Sequence, residues 1–526
     1  MSFGGIPMDG IELEILWSNL ISIVSDQAKS LQRTAFSPVV RETGDLACAI
    51  FDLRGRMMAQ ARTGTPGHIN SLANSGAALV QAFPPSELEP GDFIITNDPW
   101  LSAGHFFDIT IFNPVFYQDR IVAYVGSNIH HTDIGGYGVG AGARDVHEEG
   151  LWIPPLKFYE RGKMNPTLKA MIQANVRTPD QVFGDLAAQV ASGKTCGERL
   201  ALLCERHGLD DLEELSEEII IRSEAATRDA IRKLPAGTWH GESRFDVPGG
   251  EVVTLHAAVT IDNRKGEILI DFTGSSPKST RGVNVVLNYT HAYSTFAVRS
   301  CLNPDLPNNC GSLAPIKVHT PNDCIVNAEY PSPVNARHVV GMYVPMPVLK
   351  ALYHVVPDRV LAESAGAVWS LQIQGEGSRG QAHTSSMIGF SGGMGARRTK
   401  PGPSTTSYPT GVAAIPIEMI EATMPIEFLQ RELRRGSGGA GESPGGDGQR
   451  VAFRMISGKP WLMNTMTSRT NHGAEGLDGG AAGEPGRFMV NGEVVSSSAK
   501  LLMQPDDVVT MDTPGGGGYG APRRAP

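Results

Sequence analysis

Cysteine is scarce and scattered in this chain. Its six residues, Cys48, Cys196, Cys204, Cys301, Cys310 and Cys324, include no Cys-x-x-Cys pair. That spacing excludes a zinc-cluster or disulfide framework and leaves free buried thiols as the expectation. Clustered cations are missing too. The 45 lysines and arginines are outnumbered by 55 acids, giving a net charge of -10. Without a basic run nothing neutralises a polyanion, so nucleic acid is not an expected partner. The opening "MSFGGIPMDGIELEILWSNL" has no basic stretch before its apolar residues, and Glu12 and Glu14 interrupt them. Neither a secretory signal nor a membrane span is expected, and the expected compartment is the cytoplasm.

What the chain has in quantity is glycine and proline, 61 and 36 residues, within a composition that is 41% hydrophobic and 19% charged. These are globular proportions with many turns. A length of 526 residues suggests about three units with an ample buried core.

The pattern predicts a mixed α+β, multi-domain fold. Residues 11–33 carry apolar positions at helical spacing, and "RETGDLACAIFDLRGRMMAQ" reads as two short strands about a turn at Asp52 to Gly55. Helices are expected over residues 185–206 and 210–234, the second with its acids crowded into the N-terminal half, as the helix dipole prefers. After Pro235, "VVTLHAAVTIDNRKGEILIDFTGSS" alternates as antiparallel strands do. Three regions follow: an N-terminal helix-and-hairpin region (1–234), a β-rich middle (235–375), and an ordered glycine-rich region packed against the others (376–526).

The stretch "GHFFDITIFNPVFYQDRIVAYVGSNIHHTDIGG" gathers three of the 14 histidines. Its two β-prone runs join near residues 118–120, and in a hairpin closed there Asp108 falls opposite His130 or His131. Opposed residues share a face about 4.5–5.5 Å apart at Cβ, close enough to hold one ion. His105, three residues before Asp108, could bend in as a third ligand. Two imidazoles and a carboxylate suit manganese, iron or zinc rather than calcium. The plainer reading is unrelated polar groups at a strand end. Adjacent residues of a strand face opposite ways, so parity alone leaves His130 and His131 as alternatives.

Other motifs are weaker. "AAQVASGKT" has the Gly-Lys-Thr of a phosphate loop, but Ala188 stands where its first glycine belongs and the segment reads as helix. "GFSGG" places Ser391 in a G-x-S-x-G pattern, yet no helix can follow it, so a Ser391-dependent hydrolase is a remote alternative. The tail "TPGGGGYG" reads as backbone packed on backbone rather than an anion cradle.

In order from residue 33 to residue 520, "RTAFSPVVRETGDLACAIFD", "GDFIITNDPWLSAGHFFDIT", "HHTDIGG", "EEGLWIPPLKFYERG", "NVRTPDQVFGDLAAQ", "IDFTGSSP", "PSPVNAR", "SGGAG" and "TPGGGGYG" follow one another. With these blocks the chain resembles the B-type component of the hydantoinase and oxoprolinase family, hydantoinase B. It departs from that pattern at Trp152, where relatives carry arginine, and in "TKPGPSTT".

The resemblance implies a hetero-oligomer. A hydantoinase A-type ATPase partner would use ATP-Mg to phosphorylate the carbonyl of a small cyclic amide, a hydantoin or lactam. The B-type component would hydrolyse that product at a divalent metal, most simply manganese, with zinc or iron as alternatives. By the same resemblance the ligands are His105, Asp108 and His131, with Asp45 completing the set. His68, His130 and Asp133 are implied as catalytic or substrate-facing groups, His68 or His130 carrying a proton and Asp133 orienting a ligating histidine. A ketone carboxylase on the same site and a non-catalytic scaffold are the alternatives.

Overall fold

The computed structural model describes residues 10–62, 64–366, 368–375, 384–496 and 500–522. The expected start of the first helix near Asp9, and residues 376–383 at the expected middle boundary, lie outside these.

A seven-stranded sheet organises the N-terminal third. In spatial order its strands are Met57–Gln60, Leu46–Phe51, Arg120–His130, Asp108–Tyr117, Phe93–Thr96, Leu156–Glu160 and Lys163–Met164. Helices cover both faces. The opening helix Gly10–Thr34 and the helix Pro179–His207 bury one face through Leu16, Leu20, Cys196 and Leu200 against Cys48, Ile50, Val125 and Ile129. The helix Pro66–Ala82 buries the other through Ile69 and Leu72 against Ala47, Ala49, Phe112 and Tyr124. Strand residues alternate between the two covers, as a two-residue period requires.

Between the strands Asp108–Tyr117 and Arg120–His130 the chain turns at Gln118 and Asp119, both with positive φ (48° and 63°). That geometry is the tight two-residue turn that matches strand twist. An irregularity between Val115 and Phe116 then shifts the register, so that Asp108 lies opposite His130. A regular ladder from the same turn would have put Ile129 there.

The helix expected over residues 185–206 begins earlier, at Pro179, and encloses the Gly-Lys-Thr segment; the next spans Glu213–Arg232. The middle region opens with a four-stranded sheet, in order Ile316–His319, Glu267–Asp271, Val252–Asp262 and Gly237–Asp246. It then departs from a β-rich reading. Residues Leu287–Leu302 form a helix with two Tyr, two Thr and two Ser, types of modest helix propensity. Burial supplies the difference: Tyr289, Tyr293, Ala297 and Val298 sit in a core shared with Phe93, Ile111 and Leu186 of the first region.

The C-terminal region carries two further sheets, one containing Val368–Gly375 and Thr384–Ser391, the other Gly448–Met455 and Val508–Asp512. Its glycines bring backbone onto backbone. Gly516 N donates to Gly446 O and Gly517 N to Glu363 O, and a Cβ at Gly516 would stand 2.2 Å from Met394 O. All six cysteines are free thiols, and no helix among the described residues is long and apolar enough to cross a membrane.

Candidate metal centre

Strand parity decides which side chains meet. The even-numbered residues Asp108 and His130 project to the face covered by the helix Pro66–Ala82, which brings His68. His131 projects toward the opposite cover, where its Nε2 lies 3.4 Å from Gln189 Oε1 of the helix Pro179–His207. Gln189 also donates to Ser127 Oγ on the same side.

His105, Asp108 and His130, all buried, offer ligand atoms within 4.8 Å of one another. His105 Nε2 lies 2.8 Å and His130 Nδ1 3.0 Å from Asp108 Oδ1. The ring of His130 stacks on Phe107, centroids 5.6 Å apart at 15°. On the other carboxylate oxygen, Oδ2, His68 Nε2 stands 3.0 Å away and Arg337 Nη2 donates. Arg337 Nε donates to Ala103 O at 2.6 Å, and its guanidinium lies 3.9 Å from the Tyr289 ring centroid. Gly67 and Gly341 make room for that tyrosine, since a Cβ at either would fall 2.6 or 2.4 Å from its ring.

The donor set fits a divalent transition metal. His105 Nδ1 is 2.8 Å from the carbonyl oxygen of Asn335, which can only accept, so the proton sits on Nδ1 and Nε2 presents a lone pair. That lone pair lies near a carboxylate oxygen without the alignment of a hydrogen bond, and His105 Nε2 and His130 Nε2 are buried without hydrogen-bond partners. A buried imidazole lone pair beside a carboxylate oxygen, as His105 presents to Asp108, is an arrangement that a cation would satisfy. Burial and Arg337 lower the His105 pKa to about 4. Burial alone would raise the Asp108 carboxyl; His105, His68 and Arg337 overcome it and hold the pKa well below the usual carboxylate range. For His68 burial works downward, but Asp108 and Asp45 prevail and the pKa is raised.

Not every expected residue joins this group. Asp45 is beside it, its Oδ1 3.3 Å from His68 Nδ1. His131 is outside it, for the parity reason above. The Asp133 carboxylate bonds to other groups than these histidines: it accepts from Gly135 N at 3.1 Å and pairs with Arg177 Nη1 at 2.7 Å. The acceptor that fixes the His105 tautomer is Asn335 O. Arg337, Asn335 and His338, the last lining the cavity beside the cluster, had no role assigned from the sequence. Their signal was the block "PSPVNAR" and the histidine after it, polar residues spaced too closely for an ordinary helix face.

The cluster closes one end of a cavity with ≈ 760 Å3 of empty space, open solvent at its mouth included. The opposing wall comes from the distant residues 368–370 and 387–415, tied down where Ala413 N donates to Thr43 O at 2.9 Å. Ser391 is on that wall at the end of its strand, its Oγ bonded to Ser407 Oγ. The residues after it, 392–396, are not helical, so the strand-to-helix elbow of a serine hydrolase is not formed.

Fold and site together define a mixed α+β protein with a buried two-histidine, one-carboxylate cluster at a cavity end. The chain belongs to the hydantoinase B/oxoprolinase family, whose profile matches residues 9–522. It is 34% identical to the uncharacterised protein MJ0963 of Methanocaldococcus jannaschii, covering 98% of this chain and 91% of that one. It is 29% identical to the B component of a putative D-/L-hydantoinase from a Pseudomonas species, covering 98% and 90%. It is 26% identical to 5-oxoprolinase 1 of Arabidopsis thaliana, covering 98% of this chain but 42% of the relative. The fold is that of an ATP-dependent caprolactamase from Pseudomonas jessenii (TM-score 0.89, 24% identity, covering 99% and 93%). It is also that of a nucleotide-free acetone carboxylase chain (TM-score 0.88, 17% identity, covering 98% and 76%).

Proposed function

We propose that this chain is the B-type component of an ATP-dependent cyclic amidase. It would open the carbonyl-phosphorylated hydantoin or lactam that an A-type ATPase partner supplies. The observation that carries this reading is the His105–Asp108–His130 cluster, its His105 tautomer fixed by Asn335 O, at the end of a cavity. Kinship with the B component of a putative hydantoinase and with 5-oxoprolinases supports the substrate class.

In this reading His105, Asp108 and His130 hold the divalent metal, manganese, zinc or iron. When bound, such an ion supplies Lewis-acid polarisation and a lowered water pKa. Arg337 keeps Asp108 ionised and aimed. Ring opening requires a proton taken from water and one delivered to the departing ring nitrogen. His68 is placed for that traffic, between Asp45 and Asp108 and facing the cavity. Asp45 sets the His68 ring rather than ligating. His131 stays outside the ligand set and braces the sheet against the helix Pro179–His207.

The test is ATP-coupled ring opening and metal content of the chain purified with its ATPase partner. Loss of metal and turnover together in His130→Ala is the expected result; turnover by a metal-free His130→Ala complex would sink the reading. A ketone carboxylase on the same fold would need bicarbonate for ATP turnover. Turnover on hydantoins or lactams without bicarbonate is expected.

A further inference from the structure

The cavity has a charged end and an uncharged wall. At the charged end stand Asp45, His68 and the metal cluster, with Arg337 bonded to Asp108. The facing wall presents Val368, Met387, Val412 and Ile415. Ser370, Ser391, Ser407 and Thr410 add hydroxyls to it; Ser370 donates to Val368 O, Thr410 to Ser407 O, and Ser391 and Ser407 bond to each other, which leaves one O–H of that pair for an anion and no charge. Among the described residues lining the cavity there is no lysine, and Arg337, the one arginine, has its charge met by Asp108.

Resting on the amidase reading, we propose that the site takes rings with uncharged, apolar substituents and rejects ring carboxylates. Its substrate class is then alkyl- or aryl-substituted hydantoins and plain or alkylated lactams rather than 5-oxoproline. A ring carbonyl directed at the charged end turns the ring substituents to the wall. Hydrocarbon there leaves water for apolar contact. A carboxylate there loses its water and meets no free cation among the described residues.

The test compares pairs differing only in a carboxylate, with the chain and its ATPase partner present: 2-pyrrolidone against 5-oxoproline, and 5-isopropylhydantoin against 5-carboxymethylhydantoin. The carboxylated member is expected to show a kcat/KM lower by at least about 100-fold. Ala413, exposed on the cavity rim, offers a place for the missing cation, and its backbone bond to Thr43 does not involve the side chain. Ala413→Lys is expected to narrow the gap about tenfold by raising the carboxylated member. An unchanged ratio in that variant overturns the inference. So does 5-oxoproline turned over as fast as 2-pyrrolidone, which leaves the amidase reading standing. Turnover of none of the four compounds overturns both.

Discussion

The Nδ1 atom of His105 lies 2.8 Å from the carbonyl oxygen of Asn335, 230 residues further along the chain. One hydrogen bond therefore fixes which ring nitrogen faces the cluster, and the segment from Val334 to Arg337 becomes part of the centre although it ligates nothing. Ligating histidines need such an acceptor, and removing one typically costs about 10–100-fold in metal affinity.

The two adjacent histidines are expected to separate cleanly on mutation. His130→Ala should lose the bound metal, measured by elemental analysis of the purified chain. His131→Ala should keep it and instead lower stability by about 1–3 kcal/mol through the packing beside Gln189. Metal lost equally from both variants would place His131 in the ligand set after all.

Arg337→Met should destabilise the metal-free chain by about 3–5 kcal/mol, because it leaves Asp108 charged and buried with a partner removed. Denaturant unfolding reads this directly. Divalent metal should restore part of the loss, since the ion takes over the neutralisation.

Glu149 holds the 334–337 segment from beneath. Its Oε1 accepts from Val334 N at 2.7 Å and Asn335 N at 2.8 Å, and burial pushes its pKa well above the usual range. Glu149→Ala strands two buried N–H groups at about 1–3 kcal/mol each. It should also weaken metal binding through His105. Glu149→Gln keeps the accepting oxygen, so near-normal metal affinity in Gln beside a loss in Ala is the expected pair of results.

The metal-free chain should lose stability on acidification through His105. Burial first, then Arg337, sets its folded pKa at about 4, below the ordinary 6.5 of the unfolded chain. The neutral ring is thus the form that folding favours. Its contribution is complete above pH 6.5 and falls away as pH drops from there toward 4, on the order of 3 kcal/mol in all. His68 has the opposite sign: raised by Asp108 and Asp45, it stabilises below pH 6.5 and loses that contribution as pH rises. Urea titrations at pH 7.5 and pH 5 with chelator present should show the net loss at pH 5, and added metal at pH 7.5 should enlarge the difference.

In the glycine-rich region Gly516→Ala should lower stability by about 1–3 kcal/mol or more, since its Cβ would stand 2.2 Å from Met394 O, a backbone atom that cannot rotate away. A shifted urea midpoint at unchanged metal content is the expected readout.

By itself the sequence determined the local elements and the family. The opening helix follows from its apolar spacing, the hairpin from two β-prone runs about Gln118 and Asp119, and the glycine tail's close packing from residues without side chains. The ordered blocks from residue 33 to residue 520 carried the kinship. The nearness of His105 to Asp108 was legible because three residues separate them at a strand's entrance.

Tertiary structure decided the rest. Which of His130 and His131 meets Asp108 depends on a register shift of one residue between Val115 and Phe116, and one residue in a strand reverses the face. Asp133 went to Arg177 because the loop after His131 folds back onto Arg177. Arg337, Asn335 and the wall of the cavity come from segments hundreds of residues away, brought in by burial of the helix Leu287–Leu302 and by the glycine-packed C-terminal region. No periodicity in the sequence records such a meeting, because contacts between distant segments are set by which apolar surfaces cover one another.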